Sequence, residues 1–137
     1  MTPSGPPTHA APSRGRAVVV HVLLAVGLGV VAGVLGTVTH RTTWLDLPVG
    51  IVLAFALTAS TGVVCRAWSG LGALLGCGAG WLLAVQVLAV SGPGGDVLVP
   101  AQPIGLWWTY GGLVVLAVVA FLPRSWFSDR PVRRRVL

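Results

Sequence analysis

Residues 70–90 (GLGALLGCGAGWLLAVQVLAV) run for 21 positions without a charged side chain. A helix of that length measures about 31 Å, which matches the ~30 Å hydrocarbon core of a bilayer. In lipid, such a backbone must satisfy its own hydrogen bonds, and an isolated apolar segment does so only as a helix. This stretch therefore constrains the fold more than any other feature. Gly70, Gly72, Gly76, Gly78 and Gly80 make its first half small, while Trp81 and Gln86 mark a bulkier second half.

Three more stretches behave alike. Residues 17–39, 47–65 and 104–122 carry no Asp, Glu, Lys or Arg, only isolated hydroxyls and one histidine. Only 9% of the chain is charged, against about 25% in soluble domains, and the mean hydropathy is +0.88. The expected fold is an all-α integral membrane bundle of four transmembrane helices, with spans at about 17–39, 47–65, 70–90 and 104–122. The Pro-rich stretch 1–16 reads as a disordered tail and 123–137 as a basic tail. A length of 137 residues leaves no room for a soluble catalytic domain beside the spans. The first span has the basic lead of a signal peptide, but it is longer than the usual apolar region and no A-x-A site follows, so it reads as a retained helix.

Arginine sets the expected orientation. The net charge of +6 comes from nine Arg against three Asp, with no Lys or Glu. Four spans place Arg14, Arg16, Arg66 and the five tail arginines on one side and Arg41 on the other. By the positive-inside rule both termini are expected in the cytoplasm, at the plasma membrane. The arginines flank apolar spans, so no nucleic-acid partner is expected. Trp44, Trp107, Trp108 and Tyr110 read as outer interface anchors, and Trp68, Trp126 and Phe127 as inner ones. Trp81 reads as a packing or lipid-facing residue.

The glycines carry the most specific pattern. Gly29 and Gly33 form GxxxG in the first span, and Gly72, Gly76 and Gly80 form a double GxxxG in the third. Residues four apart share a helix face, so these are expected to be helix-packing seams, within the bundle rather than between copies. Two polar residues stand out, His21 near the inner interface and Gln86, for which an interhelical hydrogen bond is expected. Thr58, Ser60 and Thr61 can bond back one turn or across to a neighbour. Asp46 is expected to cap the second span, with Pro48 in its first turn. Asp96 is a partner for Arg41. Val97-Leu98-Val99 is expected to lie against the membrane surface. Arg130, Arg133, Arg134 and Arg135 form a cationic cluster suited to anionic lipid or an acidic partner. Cys65 and Cys77 read as small buried apolar residues.

No catalytic triad, phosphate loop, paired-carboxylate or metal-ligand spacing is present, so no enzyme, cofactor or metal is expected. The size resembles that of small multidrug resistance transporters, but residues 21–36 lack the membrane-embedded glutamate of that family. The basic Pro-rich start, the Gly-rich third span and SGPGGDVLVPAQPIGLWWTYGG at 91–112 resemble an uncharacterised family of small four-helix integral membrane proteins from high-GC Gram-positive (actinobacterial) bacteria. The resemblance implies architecture and localisation only. The expected role is a non-enzymatic accessory or scaffold subunit working with the lipid bilayer and other membrane proteins. The alternative is a small-solute transporter or channel using Thr58, Ser60, Thr61, Gln86 and His21.

Overall fold

The structure is a computed structural model, and it describes residues 14–45, 47–90 and 103–127. It is all-α. Helix α1 is Arg14–Thr39, α2 is Val49–Ala89 and α3 is Pro103–Phe121, followed by a 3-10 turn, Arg124–Phe127. All three helices are long and apolar enough to cross a membrane.

Three helices stand where the sequence suggests four. The stretches 47–65 and 70–90 are joined in the single 41-residue α2, because helix continues through Arg66-Ala67-Trp68 rather than stopping at Cys65. The element is broken once, at Ser69 (φ −143°, ψ 22°) and Gly70 (φ 73°, ψ −154°). Gly70 occupies a region of backbone space that is essentially closed to residues with a Cβ, so the expected first residue of a span is instead the bend. A straight helix of this length would measure about 62 Å. Instead the two halves, 49–68 and 71–89, fold back on each other. A Cβ at Gly62 would stand 3.5 Å from the Leu74 side chain, and Cys65 and Cys77 share a cluster with Ala25 and Ala73. Both thiols are buried and free.

Helix α1 starts at Arg14, inside the stretch read from sequence as tail; residues 1–13 lie outside the described residues. Between α1 and α2 the chain makes a tight turn in which Trp44 and Leu47 exchange N–H···O bonds of 3.1 and 3.0 Å. Leu45 is held there at φ 50°. Pro48 is the N-cap of α2 and supplies no side-chain bond. The first amides are met by backbone instead: Val49 N–H donates to Leu47 O and Gly50 N–H to Thr42 O, both at 2.8 Å. Asp46, the expected cap, lies outside the described residues.

Two seams hold the bundle. In the first, α1 crosses the second half of α2. Gly29 meets the Cys77 carbonyl, and a Cβ at Gly33 would stand 2.9 Å from both Ala84 Cβ and Trp81 O. From the other side Gly80 meets the backbone of Val26, and a Cβ at Gly76 would be 3.1 Å from Val22 O. The paired positions rise together along both helices, so the segments run parallel. Small residues at four-residue spacing are what allow backbones to touch. Gly72 departs from the expected pattern, since it faces open space.

The second seam is aromatic. Trp108 stacks with Phe55 (5.9 Å) and His40 (6.0 Å) and takes Trp81 edge-on (5.3 Å). Glycines make room for the rings: Gly36 lies under Trp108, Gly111 under Phe55 and Gly112 under Trp81. Trp108 is therefore fully buried core rather than the interface anchor its sequence position suggests. Trp44, Trp107 and Tyr110 are exposed, as are Trp68 and Trp126.

Candidate functional site

Polar chemistry in this bundle sits at its two ends. One end gathers the start of α1, the bend of α2 and the close of α3. There His21 packs edge-on against Trp68 at 4.9 Å. Arg66, at the same end, lies on the face of α2 that carries Gly50, Ala54, Thr58 and Gly62, each four residues from the next and all buried. That row of small residues turns inward and carries Arg66 in with it, leaving the side chain only 6% exposed. Arg66 Nη2–H donates to Leu122 O at 2.8 Å, where α3 leaves its last carbonyls unpaired. The guanidinium stands 5.4 Å from the Phe127 ring centroid. Its Nε and Nη1 are buried and have no hydrogen-bond partner among the described residues. Arg66 also forms part of the wall of a cleft of about 320 Å³, with Ala67, Gly70, Leu71 and Phe127.

The other end holds His40. It is fully buried beside Trp108. Its Nδ1 lies 2.6 Å from Thr37 O. A carbonyl only accepts, so the proton is on Nδ1 and the unpartnered Nε2 carries the lone pair. Trp108 Nε1–H donates to Thr37 Oγ1 at 3.1 Å, which ties the second turn of α3 to the last turn of α1. Burial pushes the His40 pKa below its usual value; the Thr37 bond opposes this, and the charge of Arg41 adds to it.

The polar residues singled out from sequence are not gathered into a path. Thr58 Oγ1–H donates to Ala54 O, and Ser60 and Thr61 donate to Leu57 O, all within their own helix. Gln86 is exposed, and no hydrogen bond joins it to another described residue, so the expected interhelical bond is absent there. His21 has an aromatic neighbour rather than a polar one. Arg130, Arg133, Arg134 and Arg135 lie outside the described residues, as do Asp96 and 97–99. Among the described residues no group of His, Cys, Asp or Glu is placed to hold a metal. A cleft of about 640 Å³ runs along the outside of α3 between Phe55, Leu106, Trp107 and Tyr110 and is walled by apolar groups.

Arg66 and His40 were both read from sequence as loop residues. For Arg66 the missed signal was the four-residue spacing of small residues from Gly50 to Gly62, which extrapolates onto it. No comparable pattern marks His40, whose burial depends on where Trp108 lands.

A family model covers residues 4–134, nearly the whole chain. The chain belongs to DUF6113, a family of unknown function. Comparison with curated proteins and with solved structures gives no match. DUF6113 membership thus carries no activity to this chain, and its chemistry has to be argued from the side chains above.

Proposed function

We propose that this member of DUF6113 is a multi-pass plasma-membrane protein with four crossings and both termini in the cytoplasm, acting without catalysis as an accessory or scaffold subunit. The observation that carries this reading is the filling of the bundle. Glycines 29, 33, 76 and 80 bring two backbones together, and the rings of Phe55, Trp81 and Trp108 occupy the space beyond them. Among the described residues the hydroxyls of the α2 face are spent on their own helix. A solid bundle of this kind offers surfaces to neighbours rather than a lane for a solute. Its lipid-facing side is rich in exposed Leu, Val and aromatic residues, which suits association in a bilayer.

The test is crosslinking in cells, purification in a mild detergent and identification of what is retained. A defined membrane protein recovered in fixed ratio is the expected outcome. Specific solute uptake by the purified chain in liposomes, lost in His21→Ala or Gln86→Ala, would refute the proposal in favour of transport.

A further inference from the structure

We infer that the cleft at the bend of α2 is a binding site for a phosphate-bearing anion, held by Arg66. The surroundings favour the headgroup of an anionic phospholipid as its source. The inference goes beyond the scaffold reading, because it assigns a ligand and a residue to hold it.

Three observations carry it. First, Arg66 brings a cationic guanidinium with five N–H donors. One bond to Leu122 O and the face of Phe127 engage part of it, yet Nε and Nη1 remain buried without partners among the described residues. Unpaired buried donors, and above all an uncompensated buried charge, are costly, so the arrangement calls for an anion. Second, there is room. The cleft of about 320 Å³ includes Arg66 in its wall, and Gly70 opens onto space with no atom near its Cβ position. That volume lies at the lower end of the ~300–1,000 Å³ range of small-ligand sites. Third, the depth is right. Trp68, two positions after Arg66, and Trp126, next to Phe127 in sequence, are exposed at this end of the bundle, and such rings settle at the level of lipid headgroups.

Among the described residues there is no Asp or Glu to supply the anion. Of the chain's three carboxylates, Asp46 precedes α2 and Asp96 follows it, both at sequence positions adjoining the far end of the bundle. Asp129 is two positions beyond Phe127 and is the one that can compete. The segments entering and leaving at this end carry eight of the nine arginines against that single aspartate. Arg also suits phosphate geometrically, since its planar donors match the oxygens of a tetrahedral anion.

The experiment uses the full chain in a neutral detergent, so its outcome is independent of which way the termini face and of any protein partner. The thermal midpoint is followed while short-chain phosphatidylglycerol, short-chain phosphatidylcholine or inorganic phosphate is added. A saturable rise with phosphatidylglycerol, weaker with phosphatidylcholine and absent with phosphate, is the expected result. An equal rise with phosphate keeps the site and assigns it to a soluble anion. Arg66→Gln should weaken the apparent affinity by on the order of tenfold or more, the usual loss for a charged hydrogen bond. If Arg66→Gln does not fold, Ala67→Trp fills the cleft from an exposed position and should abolish the response while leaving the unliganded midpoint in place. The tail variant R130A/R133A/R134A/R135A should respond like the wild type. The inference fails if that tail variant loses the response, if Ala67→Trp and Arg66→Gln both retain it, or if no additive moves the wild type. It also fails if Asp129→Asn alone makes the protein responsive, since Asp129 would then be the counter-ion.

Discussion

Protonating His40 would place a charge in a buried pocket between Thr37 and Trp108, next in sequence to Arg41. Burial is the main reason its pKa lies below the usual value, and the nearby Arg41 cation acts in the same direction. The sign of the effect follows from proton counting. The unfolded ring binds a proton as pH falls through about 6.5, while the folded ring resists until a lower pH. The unfolded state therefore holds more protons in that window, and stability falls as pH drops through it. Above about pH 6.5 both states hold a neutral ring, and His40 adds no slope. Unfolding of the purified protein, followed by tryptophan fluorescence from pH 7.5 downward, should show this loss. His40→Asn keeps an N–H for Thr37 O and should flatten the profile relative to wild type. The same acid slope in both proteins would mean that another group is responsible. Neither His40 nor Arg66 was legible as a site in the sequence, for two different reasons. His40 is buried by Trp108 of α3, whose register on α1 no local pattern sets, whereas the row Gly50, Ala54, Thr58, Gly62 points Arg66 inward but does not show that Leu122 and Phe127 meet it there.

The glycines of α2 were legible as a class but not one by one. A four-residue spacing shows that Gly72, Gly76 and Gly80 share a face; it does not show where along that face the neighbouring helix crosses. The crossing is at the Gly80 end, on Val26, and has moved away by Gly72. A graded response to alanine follows. Gly80→Ala drives a Cβ into the Val26 backbone, which has no flexible end to yield, and should cost about 1–3 kcal/mol or more. Gly76→Ala meets Val22 O at 3.1 Å and should cost less. Gly72→Ala meets nothing and should be neutral or gain about 0.5–1 kcal/mol from the stiffer helix. Gly70→Ala also meets no atom, yet its φ of 73° with ψ −154° should cost about 1–3 kcal/mol through backbone strain alone. Thermal midpoints of the four variants in one detergent test the order. If Gly72→Ala is as damaging as Gly80→Ala, the seam is not where α1 lies on α2. The bend itself was half legible: a boundary was visible near Arg66, but helix resumed across it because Ala67 and Trp68 are sound helix residues and only Ser69 and Gly70 leave helical space.

On the scale of the whole molecule, the bend sets how many crossings the proposed membrane protein makes. A 41-residue helix is about 62 Å if straight, twice the ~30 Å of a hydrocarbon core, and would leave half of a segment whose one charge is Arg66 in water. Folded at Gly70, each half is close to one membrane thickness. The ends then sort themselves by contact. His21 of α1 meets Trp68, and Arg66 meets Leu122 at the close of α3, so these mark one end; Trp108 at the start of α3 meets Thr37 and His40 at the other. Arginine is divided in the same way by sequence, with Arg41 alone adjoining the second end. The positive-inside rule then turns an arrangement of contacts into an orientation. Reporters of sidedness fused after Leu137, or inserted between Ser69 and Gly70, should read as cytoplasmic, and one inserted near Asp96 as external. An Arg41→Ser change should leave that pattern intact, because it removes a cation from the side expected to be poor in them. A cytoplasmic reading at Asp96 together with an external one at the bend would invert the bundle. Equal readings at both points would mean that α2 does not turn back in the membrane at all.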